Sequence, residues 1–254
     1  MRHGQAIALH PGLRGGSKLA IAYTSSVKGA EEALEKIRGL GVKDVIAIQA
    51  DILDPEFASK VLLDALDKLN TKTVDILVNN AVLNDPAQAL QAQDITLENF
   101  VEVMHGNVYA PVSLITKVLP HLPEYGDRII NISSVSAYMA NPNPAMIYGA
   151  SKATLQAYTR SSETAFGKGK RATFNSVVVG ATATDFFEAA REVAGMAVEF
   201  VDSQIQAITT ANRIGVPEHI AYIVGFLARE EGRWVNGAAL SANGGTTAVL
   251  PAMG

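Results

Sequence analysis

Apolar positions gather into short, nearly unbroken runs rich in Val and Ile: Leu19–Tyr23, Val45–Gln49, Val74–Val78, Arg128–Ser133, Thr173–Val179 and Ala238–Ser241. Runs of this length with so few polar interruptions predict strands covered on both faces. Between them the apolar positions recur at helical spacing. Val27–Leu40 sets Ala30, Leu34 and Ile37 on one face. Phe57–Leu69 is the next predicted helix, with Asp54 as its expected N-cap and Pro55 at its first position. Leu97–Leu119 and Tyr148–Phe166 read as long helices, and Pro111 is expected to kink the first just past Asn107. Pro217–Ala228 precedes the last strand. Strands alternating with helices predict right-handed βαβ units. The expected fold class is α/β, a doubly wound parallel sheet forming one Rossmann-like domain over residues 1–254.

Composition narrows the field without choosing a function. Of 254 residues 48% are apolar and 18% charged, an ordinary globular balance that rules out wholesale disorder. The absence of Cys excludes disulfides, thiolate metal sites and a Cys nucleophile. The compartment expected is the cytoplasm. A net charge of −4 argues against nucleic acid or an anionic membrane as partner, and no apolar run is long enough to span a bilayer. The five histidines show no metal-ligand spacing, so no metal is expected, and there is no GxSxG elbow. Lys168, Lys170 and Arg171 read as a solvated turn.

The chemistry-bearing pattern is Tyr148-Gly149-Ala150-Ser151-Lys152. Four residues apart on a helix, a phenol and an ammonium share one face on adjacent turns. A phenol near pKa 10 is a weak acid at neutral pH, and a cation one turn away is expected to lower that value and ease proton exchange. On its own the spacing equally fits a solvated surface pair. Its surroundings shift the balance. Ile129-Ile130-Asn131-Ile132-Ser133-Ser134 is a predicted strand ending in two hydroxyls, 14 residues before Tyr148. The carboxyl ends of such strands are where open α/β sheets hold ligands. A second strand runs into Asn79-Asn80-Ala81, Asn107 falls mid-helix, and Asn243-Gly244-Gly245 comes near the end.

In this joint order the chain resembles the short-chain dehydrogenase/reductase family, over about Gly4 to Gly245. Within it the likeness leans toward NADPH-dependent ketoreductases acting on polyketides and aromatic ketones, hydroxynaphthalene and versicolorin reductases among them. The resemblance implies Tyr148 as general acid and Lys152 as the group tuning it and holding the nicotinamide ribose. It implies Ser134 as the hydrogen bond to the developing alkoxide, and Asn107 as the holder of a water relaying protons to Lys152. Ser133 points elsewhere or assists. Asp51 and Ile52 would meet the adenine, Asn79, Asn80 and Ala81 the adenosine ribose, and Gly180, Thr182 and Thr184 the nicotinamide end. Gly4 matches the third glycine of the family's TGxxxGxG turn. About 20 residues on, where an acid would bond the ribose hydroxyls of NAD, stand Tyr23, Thr24 and Ser25 with Lys28 close by. A carboxylate there would repel a 2′-phosphate, and its absence points to NADP, as NADPH. The resemblance also implies a small-molecule ketone or alcohol as substrate. Apolar character is inferred from Phe186, Phe187, Met196 and Phe200 in a lid-like segment, and assembly as a homodimer or homotetramer from the two long helices.

The sequence departs from the family pattern at its start. The family's first strand and first two glycines have no counterpart, and Pro11 and Gly12 interrupt the helix that Gly4 opens. Losing a central strand costs apolar burial comparable to a domain's whole net stability of about 5–15 kcal/mol. The expectation is therefore an N-terminally truncated form of a reductase with weak or absent NADPH binding. The alternative is a catalytically impaired or non-catalytic Rossmann-like binding protein. Smaller departures are Val82 after Ala81, where the family usually has Gly, and Val179 in place of Pro before Gly180.

Overall fold

The structure, a computed structural model, describes residues 2–10, 18–84, 90–141, 144–184, 203, 205–208 and 210–246. Its elements in chain order are α1 (Arg2–Ala8), β1 (Leu19–Tyr23), α2 (Val27–Gly39), β2 (Val45–Gln49), α3 (Phe57–Lys68) and β3 (Ile76–Asn79). Then come α4 (Leu97–Met104), α5 (Ala110–Val118), β4 (Arg128–Ser134), α6 (Met146–Ser162), β5 (Thr173–Val179), α7 (Pro217–Ala228) and β6 (Ala239–Ala242). Every ladder is parallel, as the continuous apolar runs predict, and β4 and β5 are buried at all seven positions.

Helix starts follow side-chain chemistry. Ser26 accepts from the Gly29 N–H to open α2, and Thr96 accepts from Asn99 to open α4. Asp54, the expected cap of α3, instead accepts from Glu56 in a preceding turn, and the helix begins at Phe57 with Glu56 at the cap position. Pro55 thus lies outside the helix. The kink expected past Asn107 is found around it: His105–Tyr109 forms a π turn between α4 and α5. Pro111 has no N–H for the carbonyl four residues back, which is that of Asn107, and the wider turn absorbs the mismatch. The predicted helix Tyr148–Phe166 likewise ends in a π turn, Glu163–Gly167.

The sheet lies in two pieces. β1 pairs with β2, and β3-β4-β5-β6 form a second ladder; among the described residues β1 and β3 are not paired. Apolar packing joins the two pieces. Ile7 of α1 packs with Ile130, Ile132, Val177 and Val224, while Ala8 beside it packs with Ile37, Val42 and Val45. Ile48 of β2 shares a cluster with Leu77 of β3 and Leu114 and Val118 of α5. Helices therefore bridge the two ladders where hydrogen bonds do not.

Candidate active site

The carboxyl ends of the strands carry most of the predicted site. Ser134 is the last residue of β4, where the chain turns into a 3₁₀ turn whose Ser136 N–H it accepts. Tyr148 stands in the first turn of α6, close enough to Ser134 for its side chain to act on the phenol. Lys152, one turn on, is buried and donates its Nζ–H to the Ile132 carbonyl at 2.9 Å. The phenol and hydroxyl thus meet at the strand end, with the ammonium anchored just behind them. Its Nζ lies 5.9 Å from the Tyr148 ring centroid.

The electrostatics differ from the sequence expectation. Burial raises the Tyr148 phenol above its ordinary value, and the Ser134 hydrogen bond offsets part of that rise. Burial also lowers the Lys152 ammonium to about 8. Lys152 donates to the Ile132 carbonyl, and of the groups acting on the phenol it is Ser134 that favours the phenolate. Asn107 ties the loop after β3 to α6. Its Oδ1 accepts from the Leu83 N–H, and its Nδ2 donates to the Leu83 carbonyl and to Ser151 Oγ. Both amide hydrogens are used on protein acceptors.

Two close approaches shape the surround. A Cβ on Gly149 would fall 2.0 Å from Asn141 Nδ2 and 2.7 Å from the Ser136 carbonyl. Asn141 donates to that carbonyl and to the Met139 carbonyl, pinning the loop after β4 against α6 beside Tyr148. At Gly180 a Cβ would lie 2.8 Å from the Asn243 backbone, so only glycine lets the ends of β5 and β6 meet so closely.

The predicted cofactor residues fall along one edge. Tyr23 ends β1, with Thr24 and Ser25 exposed just beyond it. Asp51 follows β2 and accepts from the Leu53 N–H, while Ile52 is buried under Gly106. Asn79 ends β3 and donates to Asn131, and Asn80 and Ala81 follow it. Gly4 in α1 approaches Asn80, its notional Cβ 3.0 Å from Nδ2, which brings the chain's start to the same edge. Thr182 donates to the Gly180 carbonyl, and Thr184 is buried nearby. A cavity of about 230 Å³ lies beyond β5 and β6, lined by Thr182, Ile208, Thr210, Ile220 and Asn243; of the predicted site it includes Thr182 alone. The lid-like apolar residues Phe186, Phe187, Met196 and Phe200 lie outside the described residues. Sequence reading missed Asn141, Ser151 and Gln156. The last two sit on the stripe through Tyr148 and Lys152, so a polar residue at that spacing was the available signal.

Comparison with known proteins agrees with this geometry. The sequence model of the family described as enoyl-(acyl carrier protein) reductase matches residues 4–247. The short chain dehydrogenase penD of Penicillium thymicola is 52% identical over 250 residues, covering 98% of this chain and 90% of the relative. A short chain dehydrogenase from Burkholderia cenocepacia J2315, solved in complex with NADP, superposes with a TM-score of 0.83 at 29% identity, over 96% of this chain and 93% of that one. The angucycline C-6 ketoreductase LanV with bound NADP gives 0.81 at 28% identity, over 96% and 91%. The chain belongs to the short-chain dehydrogenase/reductase family and has its Rossmann-like fold. Among the described residues no helix is long and apolar enough to cross a membrane.

Proposed function

We propose that this chain is an NADPH-dependent carbonyl reductase acting on an apolar or aromatic ketone. One observation carries the reading: the Tyr148 phenol lies within reach of the Ser134 side chain at the carboxyl end of β4, with Lys152 buried one turn behind. Two hydroxyl donors at a strand end can bind one carbonyl oxygen, and the NADP-bound relatives support the choice of cofactor. The residues at the strand ends fit NADP. Thr24 and Ser25 leave no carboxylate against a 2′-phosphate, Asn79 to Ala81 follow β3, and Gly180 to Thr184 follow β5. The reduced nicotinamide supplies hydride to the carbonyl carbon. Ser134 holds the oxygen by its O–H. As negative charge grows there, the Tyr148 O–H bond breaks and its proton passes to that oxygen, leaving phenolate that solvent reprotonates. The raised phenol pKa keeps Tyr148 protonated before the step. Tyr148→Phe removes that proton while leaving the ring. The expected result is loss of ketone reduction, by about 10²–10⁴-fold, with NADPH affinity retained. An unchanged rate refutes the reading.

The parted sheet, in which β1 and β3 are not paired among the described residues, favours a second reading, a weakly binding or non-catalytic form. An NADPH fluorescence titration separates the two: tight binding ends the second reading. Exposed Leu97, Phe100 and Val101 on α4 and Tyr158 on α6 support a homodimer or homotetramer face, which sedimentation tests.

A further inference from the structure

The helix α6 meets β4 through more than the two groups named in the chemistry. Tyr148 lies beside Ser134, Lys152 donates to the Ile132 carbonyl, Gln156 donates its Nε2–H to Ser133 Oγ at 2.7 Å, and Thr159 Oγ1 accepts from Asn131 Nδ2 at 2.8 Å. Positions 148, 152, 156 and 159 form a single stripe of a helix. Their partners are four consecutive strand residues, 131 to 134. Thr159 is tied onward to Ser176 of β5, and Asn131 to Asn79 of β3, so the lower rung is anchored across three strands.

Ser133 sits between the two strand residues the chemistry depends on. On one side the Ile132 carbonyl holds Lys152; on the other Ser134 holds Tyr148. Gln156 and Ser133 are 3% and 2% exposed, so neither can exchange this bond for water. A buried amide left without its partner carries a full desolvation cost, which makes the Gln156–Ser133 bond a stiff tie within the buried polar seam between α6 and β4. The seam would pack as well with an apolar side chain of Gln length. What the polar pair adds is direction: it fixes how far the strand end slides along the helix.

We infer that Gln156 and Ser133 are positioning residues, whose hydrogen bond sets the register of β4 against α6 and so holds Ser134 and the Tyr148 phenol in reacting geometry. This rests on the reduction proposed above. A misplacement of about 1 Å at a reacting group costs up to about 10²-fold, so a partial slip should cost about tenfold.

The test uses the full chain with Gln156→Met, which keeps length and removes the N–H, with Ser133→Ala, which removes the acceptor, and with the double variant. In ketone reduction, kcat is expected to fall about tenfold in each single variant with KM for the ketone unchanged, and the double variant to be no worse than either. Retained kcat in both single variants overturns the inference. So does a fall in melting temperature with kcat and KM unmoved, since that marks a purely structural pair. A second readout needs no turnover: the tyrosinate absorbance of Tyr148 against pH, taken as the difference from the Tyr148→Phe chain. Its titration is expected to shift in both variants, and coincident curves overturn the inference. If the wild-type chain reduces no ketone, the proposed function fails, and the tyrosinate titration still decides the positioning role. Should Gln156→Met fail to fold, Ser133→Ala carries both measurements with a far smaller deletion.

Discussion

Lys152 is a buried ammonium whose charge is tolerated for function at a cost in stability, and that cost can be measured. Burial lowers it from 10.5 to about 8, with no ionic partner contributing to the shift. A drop of that size means the folded state disfavours the ammonium by about 3 kcal/mol relative to the unfolded chain. The sign follows from proton linkage. Between the folded and unfolded pKa values the unfolded chain binds more protons, so stability rises with pH. Below about pH 8 the penalty is present in full; above about 10.5 it vanishes. From about pH 7 to about pH 9.5 the wild type should recover about 2 kcal/mol of it. Lys152→Met removes the titrating group. Urea unfolding of both chains at the two pH values isolates the effect as a difference of differences, in which other titrations cancel. The expected result is a wild type that gains about 2 kcal/mol on the variant between the two pH values, while the variant loses ketone reduction. A flat difference would refute the reasoning, because it would mean that Lys152 keeps its ordinary pKa in the folded chain.

Further outcomes follow from other buried groups. Asp127 is fully buried beside Arg128, and burial, reinforced by Asp75, raises its carboxyl to about 6. Its folded pKa lies above the unfolded value, so this contribution falls as pH rises from about 3.8 to about 6 and stays low above it. Asp127→Asn should therefore stabilise the chain at pH 7–8 by about 2–3 kcal/mol in chemical denaturation, with the gain disappearing near pH 4. Gly149→Ala drives a methyl into Asn141 and the Ser136 carbonyl; a loss of about 1–3 kcal/mol and a reduced rate are expected in thermal melts and initial-rate assays. Asn107→Leu strips three hydrogen bonds from the Leu83 loop and Ser151, and should cost about 2–4 kcal/mol, read by the same unfolding assay.

Much of the fold was legible because burial on both faces of a parallel strand forces a continuous apolar run. All six predicted strands appear within two residues of their expected bounds, and β4 and β5 are buried throughout. Helix ends were harder. Asp54 had the right chemistry for a cap, but its side chain closed the turn one step earlier, and competition among local hydrogen bonds leaves no trace in periodicity. The candidate site was legible as a list: Ser134, Tyr148 and Lys152 do converge. Their electrostatics were not, because sequence spacing reports distance along a helix and says nothing of desolvation or of which acceptor an ammonium finds. Lys152 found a backbone carbonyl, and Asn107 a loop.

By itself the sequence determined the order of strands and helices, the family, and the residues that could exchange a proton with a carbonyl oxygen. Those properties depend on local periodicity and on side-chain chemistry, which any stretch of chain carries with it. Only the tertiary structure decided that the ladder parts between β1 and β3, that α1 bridges the two pieces through Ile7 and Ala8, and that Gln156 ties β4 to α6 beneath the reacting groups. Strand pairing, burial and long-range hydrogen bonds join residues far apart in sequence, and their energies exist only once those residues are brought together.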